Sequence, residues 1–396
     1  MRNYVKIIAL STALIAGSGC QNSSNPENGS YVDDKVDSVK ITKKFFSKLR
    51  NDALTFVNFK GQGAEGSLDK EVKGFSNALK DVTLDVSGVS EDVTKLFSMI
   101  KTIPDANNSV DGDYNITRTG KNSYSYIIKP SSSGTLILPD FNVSESNASI
   151  DGTFRGNQTL KANAIVKGTS TGFDMLLDGI LKSNNTNLTI NKLDVSHKGE
   201  SSHLNMLSLI GESNGYKIGG NLSAMDYVTN TNIKDNGGVV PQNLLYTGNI
   251  ENIKSSSKID GSIAIGFKDI ETYNPDSDDL VPKIDISGKL IMPGHPAVDA
   301  NLGFDVVKTK PVLTFDYSYD NTNISGATSF SADGKDGVIE LKGDKGIKVN
   351  VKIKNGNIVY GKDSQVTKDG KVVGTIEERK GVPIIKYTDG TFESLN

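Results

Sequence analysis

The chain has 396 residues, with 44 Lys and Arg against 47 Asp and Glu, and its formal net charge of −3 offers none of the clustered basic surface that nucleic acid requires. Hydrophobic residues at 36% together with 40 glycines give an ordinary globular apolar share, and the length suffices for two core-bearing units. The one cysteine, Cys20, excludes a disulfide framework within the chain, so stability has to come from the core.

Arg2 and Lys6 open the chain, a mostly apolar run follows from Val5 to Ala16, and the small residues Gly17, Ser18 and Gly19 lead into Cys20. That order is the layout of a secretory signal peptide, and the run is shorter than the roughly 20 residues a spanning helix needs. Cysteine directly after small residues resembles the lipobox of bacterial lipoproteins, although Gly17 stands where that pattern has Leu. The resemblance covers the first twenty residues. It implies cleavage before Cys20, a lipid on its sulfur and attachment to the cell envelope. Gln21, in the place where an Asp would imply retention at the inner membrane, points by the same resemblance to the outer membrane. Residues 1–19 are then the leader. Residues 20–30, with no apolar side chain after Cys20 other than Pro26, form a flexible tether.

Residues 31–105 carry helical periodicity. Val32, Val36, Val39, Phe45, Phe46 and Leu49 mark one apolar face, Leu68, Val72, Phe75, Leu79 and Val82 a second, and Val93, Leu96, Phe97 and Ile100 a third. Three amphipathic helices are expected, with polar faces of mixed charge. Between the first two lies Gly61-Gln-Gly63-Ala-Glu-Gly66, which fits the dinucleotide fingerprint, and Leu54–Phe59 before it could be a strand. The parallel-sheet context that this motif needs does not follow, so the segment reads as a connection with Ser67 capping the next helix.

From 106 to 396 the period falls to two. Ile259 to Phe267, Ile284 to Met292, Val298 to Val306 and Leu313 to Tyr319 alternate apolar and polar side chains, which predicts strands with one buried face. Ile347 to Ile353 runs into Asn355-Gly356, the dipeptide a type I′ hairpin turn favours because both positions need positive φ. Asp-Gly pairs beginning at Asp111, Asp151, Asp178, Asp260, Asp333, Asp336, Asp369 and Asp389 mark further turns, or bulges where they fall inside a strand. Ile150-Asp-Gly-Thr-Phe154 and Ile259-Asp-Gly-Ser-Ile263 echo each other. The fold expected is mainly β: a long antiparallel meander, as a curled sheet or a large two-sheet sandwich, preceded by about three helices.

The residues that could carry chemistry are few. His197 and His203, with Glu200 between them, flank a probable turn and could face one another across a hairpin, where two imidazoles and a carboxylate would suffice for zinc. The spacing matches no standard zinc motif, and polar turn residues are the plainer reading. Asp276, Asp278 and Asp279 make an acidic loop with hard oxygen ligands for calcium, but without the spacing or the glycine of an EF-hand. His295 sits in a tight Pro-Gly-His-Pro loop, and Ser255 with Lys258 fits S-x-x-K only by position in a polar turn. No catalytic residue, metal or cofactor is assigned. The function expected is that of a non-enzymatic envelope lipoprotein, a scaffold or binding module for a lipid or an envelope protein, with no nucleic-acid partner. The alternative is a metal-assisted hydrolase built on His197, Glu200 and His203.

Overall fold

The computed structural model describes residues 34–57, 68–100, 103, 107–137, 145–154, 157–199, 201–233, 238–274, 282–294, 296–307, 310–320, 322–331 and 333–395. They form two helices, α1 (Asp34–Val57) and α2 (Leu68–Ile100), and 23 strands that belong to one antiparallel sheet. The described residues divide into two compact units, α2 with β1–β12 and α1 with β13–β23. The leader and tether, the Gly61–Gly66 segment and the loops holding His295 and Asp276–Asp279 lie outside the described residues.

Two helices stand where three were expected, because the second and third apolar runs are one. Val86 and Val89 continue the stripe between Val82 and Val93, so Ala78, Val82, Val86, Val89, Val93, Leu96, Phe97 and Ile100 make a single buried face along a 33-residue helix. Gly88 in its middle is tolerated, since a helix with one buried stripe is held by packing more than by propensity. Leu54–Val57, read as the start of a strand, is the last turn of α1.

In the first unit the strands are β1 (Asn108–Asp111), β2 (Tyr114–Arg118), β3 (Ser123–Ile128), β4 (Ser132–Ile137), β5 (Ser146–Phe154), β6 (Gln158–Gly168), β7 (Gly172–Lys182), β8 (Thr186–Lys198), β9 (Ser201–Ser213), β10 (Tyr216–Thr229), β11 (Val239–Asn252) and β12 (Lys258–Phe267). Each pairs with its neighbour in sequence, which is the meander. Strand β6 alternates strictly: Leu160, Ala162, Ala164 and Val166 are buried, whereas Lys161, Asn163 and Ile165 face out. Helix α2 covers the buried face. Phe97 meets Phe173 edge-on at 6.2 Å, the Tyr114 hydroxyl donates to Asp92 at 2.7 Å, and Lys95 pairs with Asp111.

The second unit contains β13 (Pro282–Ile291), β14 (Val298–Val307), β15 (Lys310–Tyr319), β16 (Thr322–Phe330), β17 (Gly337–Gly343), β18 (Ile347–Lys354), β19 (Asn357–Ile358), β20 (Gly361–Lys368), β21 (Lys371–Arg379), β22 (Val382–Tyr387) and β23 (Phe392–Ser394). Its core joins Val39 and Phe46 of α1 to Ile339, Ile347, Val351 and Ile385 of the sheet. Polar groups fix the same helix: Lys43 pairs with Asp389 at 2.8 Å, and Lys48 donates to the Asp320 carbonyl at 2.7 Å. The turn at Asn355-Gly356 has φ of 52° and 77°, as a type I′ hairpin requires.

Two expectations need correction. The strands share one sheet and pack against helices, so helix-on-sheet burial replaces the two-sheet sandwich. The alternation at 259–267, 284–292 and 298–306 does form strands, but not strands with a buried face. In β12 and β13 every described residue is half-buried or exposed, and β14 buries only Val298. Alternation separates two faces; a buried one also requires a covering layer, and no described helix supplies it to these strands.

Candidate functional site

The described residues of the predicted constellations separate. On the β8–β9 hairpin His197 pairs with Ser202 and Ser196 with His203. Opposed residues share a face and consecutive residues alternate, so the two imidazoles stand on opposite faces of the sheet. His197 Nδ1 lies 3.0 Å from the Ser202 hydroxyl, and its ring is 5.0 Å from that of Phe173 on the helix-covered side. His203 stacks on Tyr227 at 4.2 Å and 8°. The pair therefore does not converge on a shared ion. Glu200, Asp276, Asp278, Asp279 and Cys20 lie outside the described residues. Among the described residues no three of His, Cys, Asp and Glu form a ligand-like group. Ser255 is buried in the β11–β12 turn, and Lys258 pairs with Asp260 at 3.2 Å, so the S-x-x-K match is structural.

Two other features of the first unit stand out. The first is the face of the sheet turned away from α2. One cross-strand row there runs Ile165, Leu176, Asp194, Met206, and another runs Lys161, Ile180, Thr189, Ile210. Ile210 is 58% exposed and Ile180 43%. Charges interrupt these apolar side chains: Lys161 pairs with Asp151 at 3.7 Å and Lys192 with Asp194 at 3.2 Å. Exposed pairs of this kind add little stability and leave a mixed surface.

The second feature is a polar cleft of about 310 Å³ at one end of the strands. In a meander every second turn falls at the same end, so the β5–β6, β7–β8 and β9–β10 turns assemble there, bringing Asn157, Asn184, Asn185 and Asn214. The Asn214 amide N–H donates to the Asn185 carbonyl at 2.9 Å and ties two of these turns together. Asn214 has φ of 51°, ahead of Gly215 at 85°, and its side-chain amide donates to Asp81 at 3.0 Å. Asp81 and Asp85, four residues apart on α2, form the opposite wall. Burial raises the Asp85 pKa above its ordinary value and the nearby Asp81 charge adds to this, while hydrogen bonds from Thr186 and Gln158 oppose it. Gln158 Nε2 donates to Asp85 at 2.5 Å, and the Thr186 and Ser213 hydroxyls are 2.9 Å apart. Sequence reasoning missed this cleft. Its signals were the Asp81 and Asp85 pair at helical spacing and an asparagine in each of three alternate turns, but only the strand register brings them together.

No family model matches the chain, and no curated protein or solved structure matches it. No described helix is long and apolar enough to cross a membrane.

Proposed function

We propose that the chain is a non-enzymatic cell-envelope lipoprotein, tethered through a lipid on Cys20 and placed at the outer membrane, whose sheet serves as a binding scaffold for another envelope protein. The leader and the solitary cysteine support the tether. The observation that carries the scaffold reading is the uncovered face of β6–β9, where Ile165, Leu176, Met206, Ile180 and Ile210 stand among Lys161, Asp151 and Asp194. A lipid surface favours an unbroken apolar or basic face. Apolar islands among charges of both signs suit a protein partner, since non-obligate interfaces are only about as apolar as ordinary surface.

The test compares the protein recovered from its own envelope with a Leu176→Lys, Ile210→Lys variant. Both changes are on the exposed face, so unfolding should shift by no more than about 1 kcal/mol for each. A protein that copurifies near one equivalent and is lost with the variant supports the reading. Retention of that protein by the variant, or a copurifying lipid in its place, opposes it.

A further inference from the structure

We infer that the apolar face of β13–β15 is a self-association surface, on which a second copy of this chain packs sheet on sheet. Strand pairing places Ile284 beside Phe304 and Leu313, and Ile286 beside Leu302 and Phe315, in consecutive cross-strand rows of one face. The intervening residues point to the other side, where Lys283 pairs with Asp285 at 2.9 Å and Lys289 with Asp299 at 3.3 Å. These strands therefore have one charged face and one without charge. The charge-free face is open at its centre: Leu302, in the middle strand, is 45% exposed and Ile286 is 39% exposed.

The chain does not close this face with its own apolar groups. Val39 and Phe46 of α1 serve the core built on the later strands of the unit. Phe315 leans the same way, its ring 2.5 Å from where a Cβ on Gly326 of β16 would stand, which leaves Leu302 bare. With the leader removed, the chain ahead of α1 offers only Pro26, Tyr31 and Val32 as apolar side chains after Cys20. Three such groups are too few to cover three strands of ten residues each.

Area and charge select the occupant. The three strands span about 34 Å by 14 Å, a footprint of about 500 Å². Monomers seldom expose a contiguous apolar patch of more than a few hundred Å² without a use for it. Two such faces stacked bury about 1,000 Å², which is about the least that a specific interface needs. A face without charge meets its own copy with no like-charge repulsion, and aligned sheets stack about 10 Å apart with interdigitating side chains. Sheet-on-sheet packing, which the described residues of one chain do not make, is completed by two. An interface of this size belongs at the weak end, with a Kd on the order of 10 μM.

The test is analytical ultracentrifugation of residues 20–396 at about 1–100 μM, with Cys20→Ser so that neither an acyl chain nor an intermolecular disulfide joins two copies. The expected result is a reversible equilibrium between monomer and dimer. Leu302→Lys and Ile286→Lys should each weaken it at least about tenfold, while the urea midpoint measured well below Kd stays where it was. Asn301→Lys, beside Leu302 but on the opposite face, should leave the dimer intact. So should Leu176→Lys with Ile210→Lys, which makes this surface and the partner-binding face of β6–β9 separable. A chain still monomeric at about 100 μM, a dimer that survives both Leu302→Lys and Ile286→Lys, or one lost with Asn301→Lys would overturn the assignment. A monomer that instead holds a fatty acid or a different protein, released by Leu302→Lys, would overturn the choice of a second copy.

Discussion

Tyr126 and Gly152 share one space: the Tyr126 hydroxyl occupies the position a Cβ on Gly152 would take, and it donates to the neighbouring Thr153 carbonyl at 3.2 Å. Tyr126 pairs with Gly134, and Gly134 with Gly152, so the ring belongs to a cross-strand row that two glycines leave open. Gly152→Ala should destabilise the fold by about 1–3 kcal/mol, since the new Cβ would also lie 2.6 Å from Gly134 Cα and 2.8 Å from the Ser133 carbonyl, neither of which can turn aside. Tyr126→Phe, which removes only the hydrogen bond, should cost about 1 kcal/mol. Denaturant midpoints of the two variants decide the matter; an Ala variant as stable as the parent would refute the close approach.

Tyr246 repeats the arrangement over Gly220 and Gly248, donating to the Gly219 carbonyl at 3.2 Å. Burial, with the charge of Asp260, pushes its pKa up to about 12. The unfolded phenol ionises near 10 and the folded one does not, so the unfolded state holds fewer protons above that pH. Stability is therefore complete below about pH 10 and is lost as pH rises toward 12. Tyr246→Phe should flatten that loss in unfolding curves measured between pH 9 and about 12; an unchanged slope would place the titration elsewhere.

His203 gives the opposite limb. Burial and the charge of Lys198 lower its pKa below 6.5, so the unfolded chain binds a proton first as pH falls. Its contribution is present above 6.5 and is lost on acidification through the folded pKa. The NMR titration of this ring should move upward in Tyr227→Ala, which removes the stacked partner, and stay in place in His197→Ala, whose ring faces the other side.

The two faces of the first unit should respond differently to truncation. Phe97 is fully buried against Phe173, and Phe97→Ala should cost about 3–5 kcal/mol. Ile165, 39% exposed on the uncovered face, should lose no more than about 1 kcal/mol on replacement by Ala. Comparable losses would mean that both faces are buried.

Much of the β region was legible because period-two alternation reads directly onto strand faces, as Ile347 to Ile353 does in β18. What covers a face was not legible. Strands β12 to β14 alternate as clearly as β18, yet only the covering layer separates a buried face from an exposed one, and cover is non-local. Dipeptides were ambiguous for a similar reason. Asp369-Gly370 and Asp389-Gly390 are turns and Asp178 sits at a register shift, whereas Asp151-Gly152 and Asp260-Gly261 lie within strands, where each glycine faces another glycine. The Asn214-Gly215 turn had the same signature as Asn355-Gly356, but its part in the cleft depended on α2, more than 130 residues earlier.

The central proposal, a tethered lipoprotein that presents an uncovered sheet face, is tested most directly by mass spectrometry of the protein purified from its own envelope. Intact mass should show the chain beginning at an acylated Cys20, and organic extraction should release no separate lipid near one equivalent. An unmodified N-terminus upstream or downstream of Cys20 would contradict the tether, and a stoichiometric extracted lipid would contradict a protein-binding scaffold.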